Sequence, residues 1–193
     1  MIFAKKDTLF AIIGIPGERG RSAWSETIGR VGSIEIQLRA PHFAVETRVK
    51  GPRRDARAKG FRRLRDYARG KNRAHCKLTL GEGLVLQEER TDLFRVRVFP
   101  IGHIGSLPAP VDAKVRIVEM PAEMLAVEHI TRRLTPQVIA SVEARLFQLL
   151  QGSGWSRDLS DRCRLTESAG TLPFRPWGSL AIRVHEDLHR PTA

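Results

Sequence analysis

Long apolar runs are missing from this sequence. None approaches the ~18 residues that a membrane-spanning helix needs, so no membrane span is expected. The nearest candidate, LFAIIGI (Leu9–Ile15) after Lys5-Lys6, is short for a signal-peptide core and has no Ala-x-Ala site behind it. It reads instead as part of a packed N-terminal extension, residues 1–31. Cysteine is scarce too. Cys76 and Cys163 are the only two, too few for a disulfide framework and without metal-ligand spacing, so a reducing cytoplasm is the simplest location. A single tyrosine, and no helix-turn-helix, zinc finger or RNA-binding aromatic motif, leave specific nucleic-acid binding without a carrier. The histidines (His42, His75, His103, His129, His185 and His189) fall singly. Even His75 beside Cys76 lacks partners at ligand spacing, and no metal site is expected.

Acidic residues are also missing where basic ones crowd. Between Arg48 and Arg73, twelve lysines and arginines meet only Asp55 and Asp66, so this stretch carries +10 of the chain's net +12. Anions concentrate at such a stretch. At low salt it also attracts phosphates without selecting among them.

What is present is repetition. FAVETRV (Phe43–Val49) and LAVEHIT (Leu125–Thr131) share Ala-Val-Glu 82 residues apart. CKLT (Cys76–Thr79) answers CRLT (Cys163–Thr166) at 87, and FRVRV (Phe94–Val98) answers LAIRV (Leu180–Val184) at 86. Three matches in order indicate a tandem duplication. Each half reads strand-strand-helix-strand-strand: IEIQL, FAVETRV, helix, HCKLTL, LFRVRVF, then KVRIVEM, LAVEHIT, helix, DRCRLT, SLAIRV. LVL (Leu84–Leu86) adds a candidate ninth strand. A Gly- and Pro-rich linker, Gly102–Asp112, joins the halves. The expectation is an α+β chain: one domain over residues 32–187, built of repeats 32–101 and 113–187, with a tail at 188–193.

The two helices differ. The second has Thr135 as cap, Pro136 in its first turn and Gly152 past its end, with Val138, Val142, Leu146 and Leu149 on one core stripe. The first is expected from Asp55, as cap, to Gly70. Its inner stripe is modest: Ala56, Gly60, Leu64, Tyr67 and Ala68. Phe61 lies at the edge of that stripe, with Arg54, Ala58 and Arg65 on its outer side. An aromatic ring therefore stands among arginines on a flank the core does not require. A solvated basic helix with Phe61 tucked inward is the alternative.

The run G-F-x-x-L-x-x-Y-x-x-G-K-N (Gly60, Phe61, Leu64, Tyr67, Gly70, Lys71, Asn72), followed by Lys77, resembles the first-helix signature of SOUL heme-binding proteins. IEIQLRAPHFAVET upstream, LPAPVDAKVRI in the linker and TLPF (Thr171–Phe174) are similar to further segments of that family, over about Gly32 to Val184. The resemblance implies a twisted, barrel-like antiparallel or mixed sheet of two pseudo-symmetric halves flanked by two helices. It also implies a tetrapyrrole, heme first, in a shallow groove between the first helix and the last loop. On that reading Phe61 and Ala58 form the apolar floor, Phe174 and Trp177 the opposite lip, and Arg54, Arg62 and Arg65 meet the carboxylates of a flat anionic ligand.

Three loops depart from the family. Leu80–Val85 replaces Met-Thr-x-Pro-Val, Thr166–Gly170 replaces Asn-Pro-Pro-Trp, and Pro176–Ser179 replaces Arg-Arg-Asn-Glu. Leu38 stands where members proposed to ligate iron carry His. A second function is therefore open: a small-molecule binder or hydrolase-like enzyme on the same scaffold, in the manner of related GyrI-like folds. Its candidates are Glu46 and Glu128, paired by the repeat, and Glu82 in the altered turn. If Glu46 and Glu128 meet near the pseudo-two-fold axis, one carboxyl is raised; otherwise both are solvent-facing strand residues.

Overall fold

The structure, a computed structural model, describes residues 25–81, 83–101, 107–167 and 178–187. In chain order its elements are β1 (Ser25–Val31), β2 (Ile34–Arg39), β3 (His42–Lys50), α1 (Arg53–Ala68), β4 (Leu84–Arg90), β5 (Leu93–Val98), β6 (Val115–Met120), β7 (Glu123–Ile130), α2 (Pro136–Leu150), β8 (Trp155–Arg157), β9 (Arg164–Glu167) and β10 (Gly178–Glu186). This is an α+β fold. The ten strands form one sheet, β1-β2-β7-β10-β9-β4-β5-β3-β6, with β8 beside β10, and every pairing is antiparallel.

Two short connections decide its shape. Only Ala40 and Pro41 separate β2 from β3, yet these strands stand six places apart in the sheet. Pro121 and Ala122 join β6 to β7 across the same gap. On a flat sheet with strands ~4.8 Å apart, each connection would have to reach ~29 Å. Three peptide steps reach only ~11 Å. The sheet must roll until the strands meet. It rolls without closing, since no ladder joins β1 to β6 among the described residues. The expected barrel-like sheet is thus an open antiparallel roll.

The order β2-β7-β10-β9-β4-β5-β3-β6 is a palindrome. Exchanging β2 with β6, β3 with β7, β4 with β9 and β5 with β10 returns it reversed, with the axis between β4 and β9. The residue register is a different matter. Val45 packs against α1, whereas Val127 clusters with Leu125 and Ala181 on the face away from the helices. The shared Ala-Val-Glu therefore lies on corresponding strands but points to opposite faces, as a one-residue slip requires.

Both helices cover the outer face. α1 packs Ala56, Leu64 and Tyr67 on Val45, Val49, Phe94 and Val96. α2 packs Val142, Leu146 and Leu150 on Ile34, Ile36, Leu180 and Ile182. Thr135 caps α2 as the sequence predicts, its Oγ1 accepting from Val138 N at 3.2 Å, with Pro136 at the first position. α1 starts two residues before Asp55, after Pro52 and without a side-chain cap; Asp55 sits in the first turn, where its charge suits the helix's positive end. Gly70 ends α1 at φ +107°, with Gly70 N bonded to Tyr67 O and Lys71 N to Asp66 O, both at 3.1 Å.

HCKLTL does not form the expected strand, and its counterpart in the sheet is β4. The Asn72 side chain replaces the ladder: its Nδ2 donates to Tyr67 O (3.0 Å) and Cys76 O (2.7 Å), and its Oδ1 accepts from Cys76 N (3.2 Å). Leu78 N then bonds Ala68 O at 2.8 Å. Cys76 consequently lies exposed on a loop rather than on a strand, and Cys163 just precedes β9; both are free thiols. β1 and β8 were not anticipated from the sequence.

Gly60 sets how closely α1 approaches the sheet. A Cβ there would fall 2.6 Å from Val96 Cγ2 on β5. Gly60→Ala should therefore destabilise the fold by ~1–3 kcal/mol through overpacking, although alanine is the better helix former. A urea melt unchanged by the substitution would contradict this packing.

Candidate functional site

The outer flank of α1 carries the sequence-predicted stripe. Arg54, Ala58, Phe61 and Arg65 follow at four-, three- and four-residue steps, which aligns them on one face, with Arg62 beside them. Arg54, Ala58 and Arg62 are exposed and Arg65 is half-buried. Phe61 is 38% exposed, so the ring does not tuck into the core. Arg65 Cζ lies 5.8 Å from the Phe61 ring centroid, within cation–π range, and Arg65 Nε is buried without a hydrogen-bond partner. An Arg57–Glu167 ion pair ties this side of α1 to the end of β9. The chain continues from there into the segment that carries Phe174 and Trp177, which lie outside the described residues, as does Glu82.

A cavity of about 360 Å³ opens between the two helices above β4, β9 and β10. Its floor is apolar (Leu86, Phe94, Leu165, Leu180, Ile182), and Ile139, Glu143 and Phe147 of α2 form one wall. Arg157 Cζ stacks 4.3 Å over the Phe147 ring at the rim. Cys163 also lines this space, but burial, reinforced by Glu143, pushes its thiol well above the usual range. It stays protonated at neutral pH and is a poor nucleophile.

The inner face of the roll is unexpectedly charged. Glu46 accepts from Arg97 Nε at 3.0 Å and has Arg95 Nε at 3.6 Å. Arg95 also pairs with Glu89, which in turn holds Arg48 at 2.8 Å. Glu123 takes Arg164 at 2.6 Å and Arg183 at 3.1 Å, and Asp161 bonds both Arg164 and Gln87 at 2.7 Å. Glu46, Arg97, Glu123 and Arg164 are each at most 6% exposed. Glu128 points the other way, to the Arg145 guanidinium of α2 and Ser33 Oγ (2.9 Å), and is 3% exposed.

The family described as SOUL heme-binding protein matches residues 24–168, most of the chain. The chain belongs to this family. Among solved structures, similar folds occur in the cryo-EM EcmrR–DNA complex (TM-score 0.56, 10% identity, 79% of this chain and 57% of that one). The crystal structure of the EcmrR C-terminal domain gives a TM-score of 0.55 at 11% identity, over 79% and 97% of the two chains. A hydrolase from Listeria innocua gives 0.53 at 9%, over 79% and 90%. This chain thus spans a little over half of the EcmrR chain in the DNA complex. At such identities the likeness is one of fold alone. No curated protein matches the sequence.

In this SOUL-family chain the structure brings Arg54, Ala58, Phe61, Arg62 and Arg65 together on one flank. It does not bring Glu46 and Glu128 together. They lie on opposite faces of the sheet, each neutralised by arginine, and neither is solvent-facing. Among the described residues no group of three or more His, Cys, Asp or Glu is placed to hold a metal ion, and no helix is long and apolar enough to cross a membrane. Sequence reasoning missed Arg39, Arg97, Glu123, Arg164 and Arg183. The available signal was Arg95 and Arg97 alternating with Phe94, Val96 and Val98 on β5.

Glu123 makes the inner network testable. Burial draws its carboxyl upward, but hydrogen bonds and charge from Arg164 and Arg183 outweigh this and hold it below its ordinary value of 4.5. A carboxyl depressed by folding contributes stability above its unfolded pKa and loses that contribution as pH falls toward the folded one. Denaturant midpoints of the native protein should accordingly fall as pH drops below about 4.5. Glu123→Gln should remove part of that acid slope while destabilising the fold at pH 7 by less than the ~3–5 kcal/mol of a fully unpaired buried charge, because Arg164 loses Glu123 but keeps Asp161. An unchanged acid slope in the variant would separate Glu123 from acid sensitivity.

Proposed function

We propose that this SOUL-family chain binds heme or another flat anionic tetrapyrrole along the outer flank of α1. The observation that carries the reading is the exposed Phe61 ring within an arginine stripe that the core does not use. Family membership supports the ligand class. Phe61 and Ala58 supply apolar contact, while Arg54, Arg62 and Arg65 receive the carboxylates through charge-assisted hydrogen bonds. The opposing lip that the family resemblance implies, Phe174 and Trp177, lies outside the described residues. Bound heme would supply iron-centred chemistry; the residues of this flank hold the ring and its carboxylates and include no histidine. Leu38, at the position of a proposed family ligand, is a half-buried residue of β2. The same reading takes residues 32–187 as one duplicated domain, supported by the palindromic strand order, and a reducing cytoplasm, supported by the two free thiols.

The cavity between the helices favours a second reading, a small-molecule binder on the same scaffold. Its 360 Å³ falls within the range of small-ligand pockets. An acidic catalytic pocket built on Glu46 and Glu128 is not part of it, since arginines occupy both carboxylates.

Hemin titration separates the two readings. Binding at the α1 flank should be weak, lack a histidine-ligated spectrum and weaken with salt, because exposed ion pairs contribute only ~0–1 kcal/mol each and are screened. Phe61→Ala should weaken binding at every ionic strength, and Arg65→Glu mainly at low salt. Tight, salt-insensitive binding with a six-coordinate histidine spectrum would sink the flank assignment. Binding lost on filling the cavity by Leu165→Trp, but kept in Phe61→Ala, would favour the second reading.

A further inference from the structure

Arg39 closes β2 on the inner face of the roll, directly across from Glu123 of β7. Glu123 is already engaged, its Oε1 by Arg164 and its Oε2 by Arg183. Among the described residues no carboxylate comes within ion-pairing distance of Arg39, and its Nε is buried without a hydrogen-bond partner. The Nε atoms of Arg95 and Arg164 on the same face also lack a hydrogen bond, although Arg95 Nε lies 3.6 Å from Glu46 and Arg164 is paired through its other two nitrogens. Burial draws the Arg39 guanidinium down to about 10, with Glu123 pulling it up and Arg164 pushing it down. It remains a cation at neutral pH.

Arg39 and Arg164 face one small cleft, lined also by Arg97, His42, Thr166 and Glu123, beside the paired ends of the two crossover connections, Arg39 opposite Glu123 and His42 opposite Met120. Three guanidinium groups line it with one carboxylate; Arg97 is paired with Glu46 and Arg164 with Glu123 and Asp161, which leaves Arg39 as the lining arginine without an ion pair among the described residues. The cleft's free space is about 10 Å³, room for an oxygen-sized group rather than a whole ligand. Arg39 is half-buried with its Nε fully buried; a guanidinium so placed without a counter-charge is costly to keep, and an incoming anion reduces that cost. A planar guanidinium also offers a fork of donors that matches the oxygens of a carboxylate or phosphate.

We propose that the inner face of the roll binds a single oxyanion head group, carboxylate or phosphate, with Arg39 as principal donor and Arg97 and Arg164 flanking it. This site is separate from the α1 flank, which lies on the other side of the sheet. The cleft admits one oxygen of that head group, while the rest of the head group and the ligand's body stay at its mouth.

The test uses the full chain at constant ionic strength, titrated with sodium acetate or inorganic phosphate in place of chloride, with the thermal midpoint as readout. At least one anion should raise the midpoint saturably. Acetate acting alone identifies a carboxylate site, and phosphate acting alone a phosphate site. Arg39→Gln should weaken the apparent affinity at least tenfold, and Arg39→Lys should keep part of it. The double variant Arg54→Gln/Arg62→Gln on α1 should leave it unchanged. Without added anion, Arg39→Gln should be as stable as the native chain or more so, since it removes an uncompensated charge. The proposal is overturned if neither anion acts beyond chloride, if the response survives Arg39→Gln, or if it disappears in the α1 double variant. An Arg39→Gln protein that is destabilised or fails to fold also overturns it, by showing that Arg39 is already paired within the fold.

Discussion

Two connections of two residues each, Ala40-Pro41 and Pro121-Ala122, constrain everything else in this molecule. They join strands that stand six places apart, so the sheet cannot lie flat. A roll of this curvature has a narrow inside and a broad outside. Helices fit only outside, and both cores accordingly lie between the outer face and a helix. With one helix per half, α1 has sheet beneath it and solvent above, which leaves Phe61 and its neighbouring arginines uncovered. Gly60 strengthens the effect by drawing α1 onto Val96, so that little of its outer flank is shared with the sheet.

The same roll decides the fate of residues on the inner face. A polar residue on a flat, half-covered sheet points to water. Here the inner side chains of several strands converge, and Glu46, Arg97, Glu123 and Arg164 become buried. Buried charges are costly unless paired and hydrogen-bonded. Two arginine–carboxylate networks meet that requirement, one centred on Glu46 and one on Glu123. Strand parity sorts the remaining carboxylate outward: Glu128, although it shares Ala-Val-Glu with Glu46, meets α2 through Arg145.

This also explains what could be read from the sequence. The helices were legible because their signals are local: Thr135 and Pro136 start one, and Gly70 stops the other. The Phe61 stripe was legible because helical spacing alone shows that it leaves the core face. β4 was underestimated, as LVL, because HCKLTL alternates like a strand, and only the Asn72 side chain shows why it is not one. Phe43–Val49 and Leu125–Thr131 fall on strands that correspond in the palindromic order, but their shared letters mislead in register, since Ala-Val-Glu lies on strands whose faces differ by one position. The inner arginines could not be placed from alternation. The pattern of Phe94-Arg95-Val96-Arg97-Val98 describes an outward polar face and a buried one equally well. The distinction depends on contacts between strands distant in sequence, which no local pattern contains.

The net charge of +12 therefore hides two populations of arginine with different physics. Those on α1 are exposed or half-buried and sparsely paired, so they attract anions over a Debye length and lose that attraction in salt. Inside the roll Arg97 and Arg164 are shielded from solvent and Arg39, Arg95 and Arg183 are partly so, and most are cancelled by a named carboxylate; their field is short-ranged and less screened. A mobile anion near this protein meets the first population by diffusion and the second only by fit. Affinity at α1 should follow ionic strength and apolar area, whereas occupancy inside the roll depends on whether one oxyanion can reach Arg39. The distinction follows from the two short connections, because on a flat sheet both sets of arginines would face water alike.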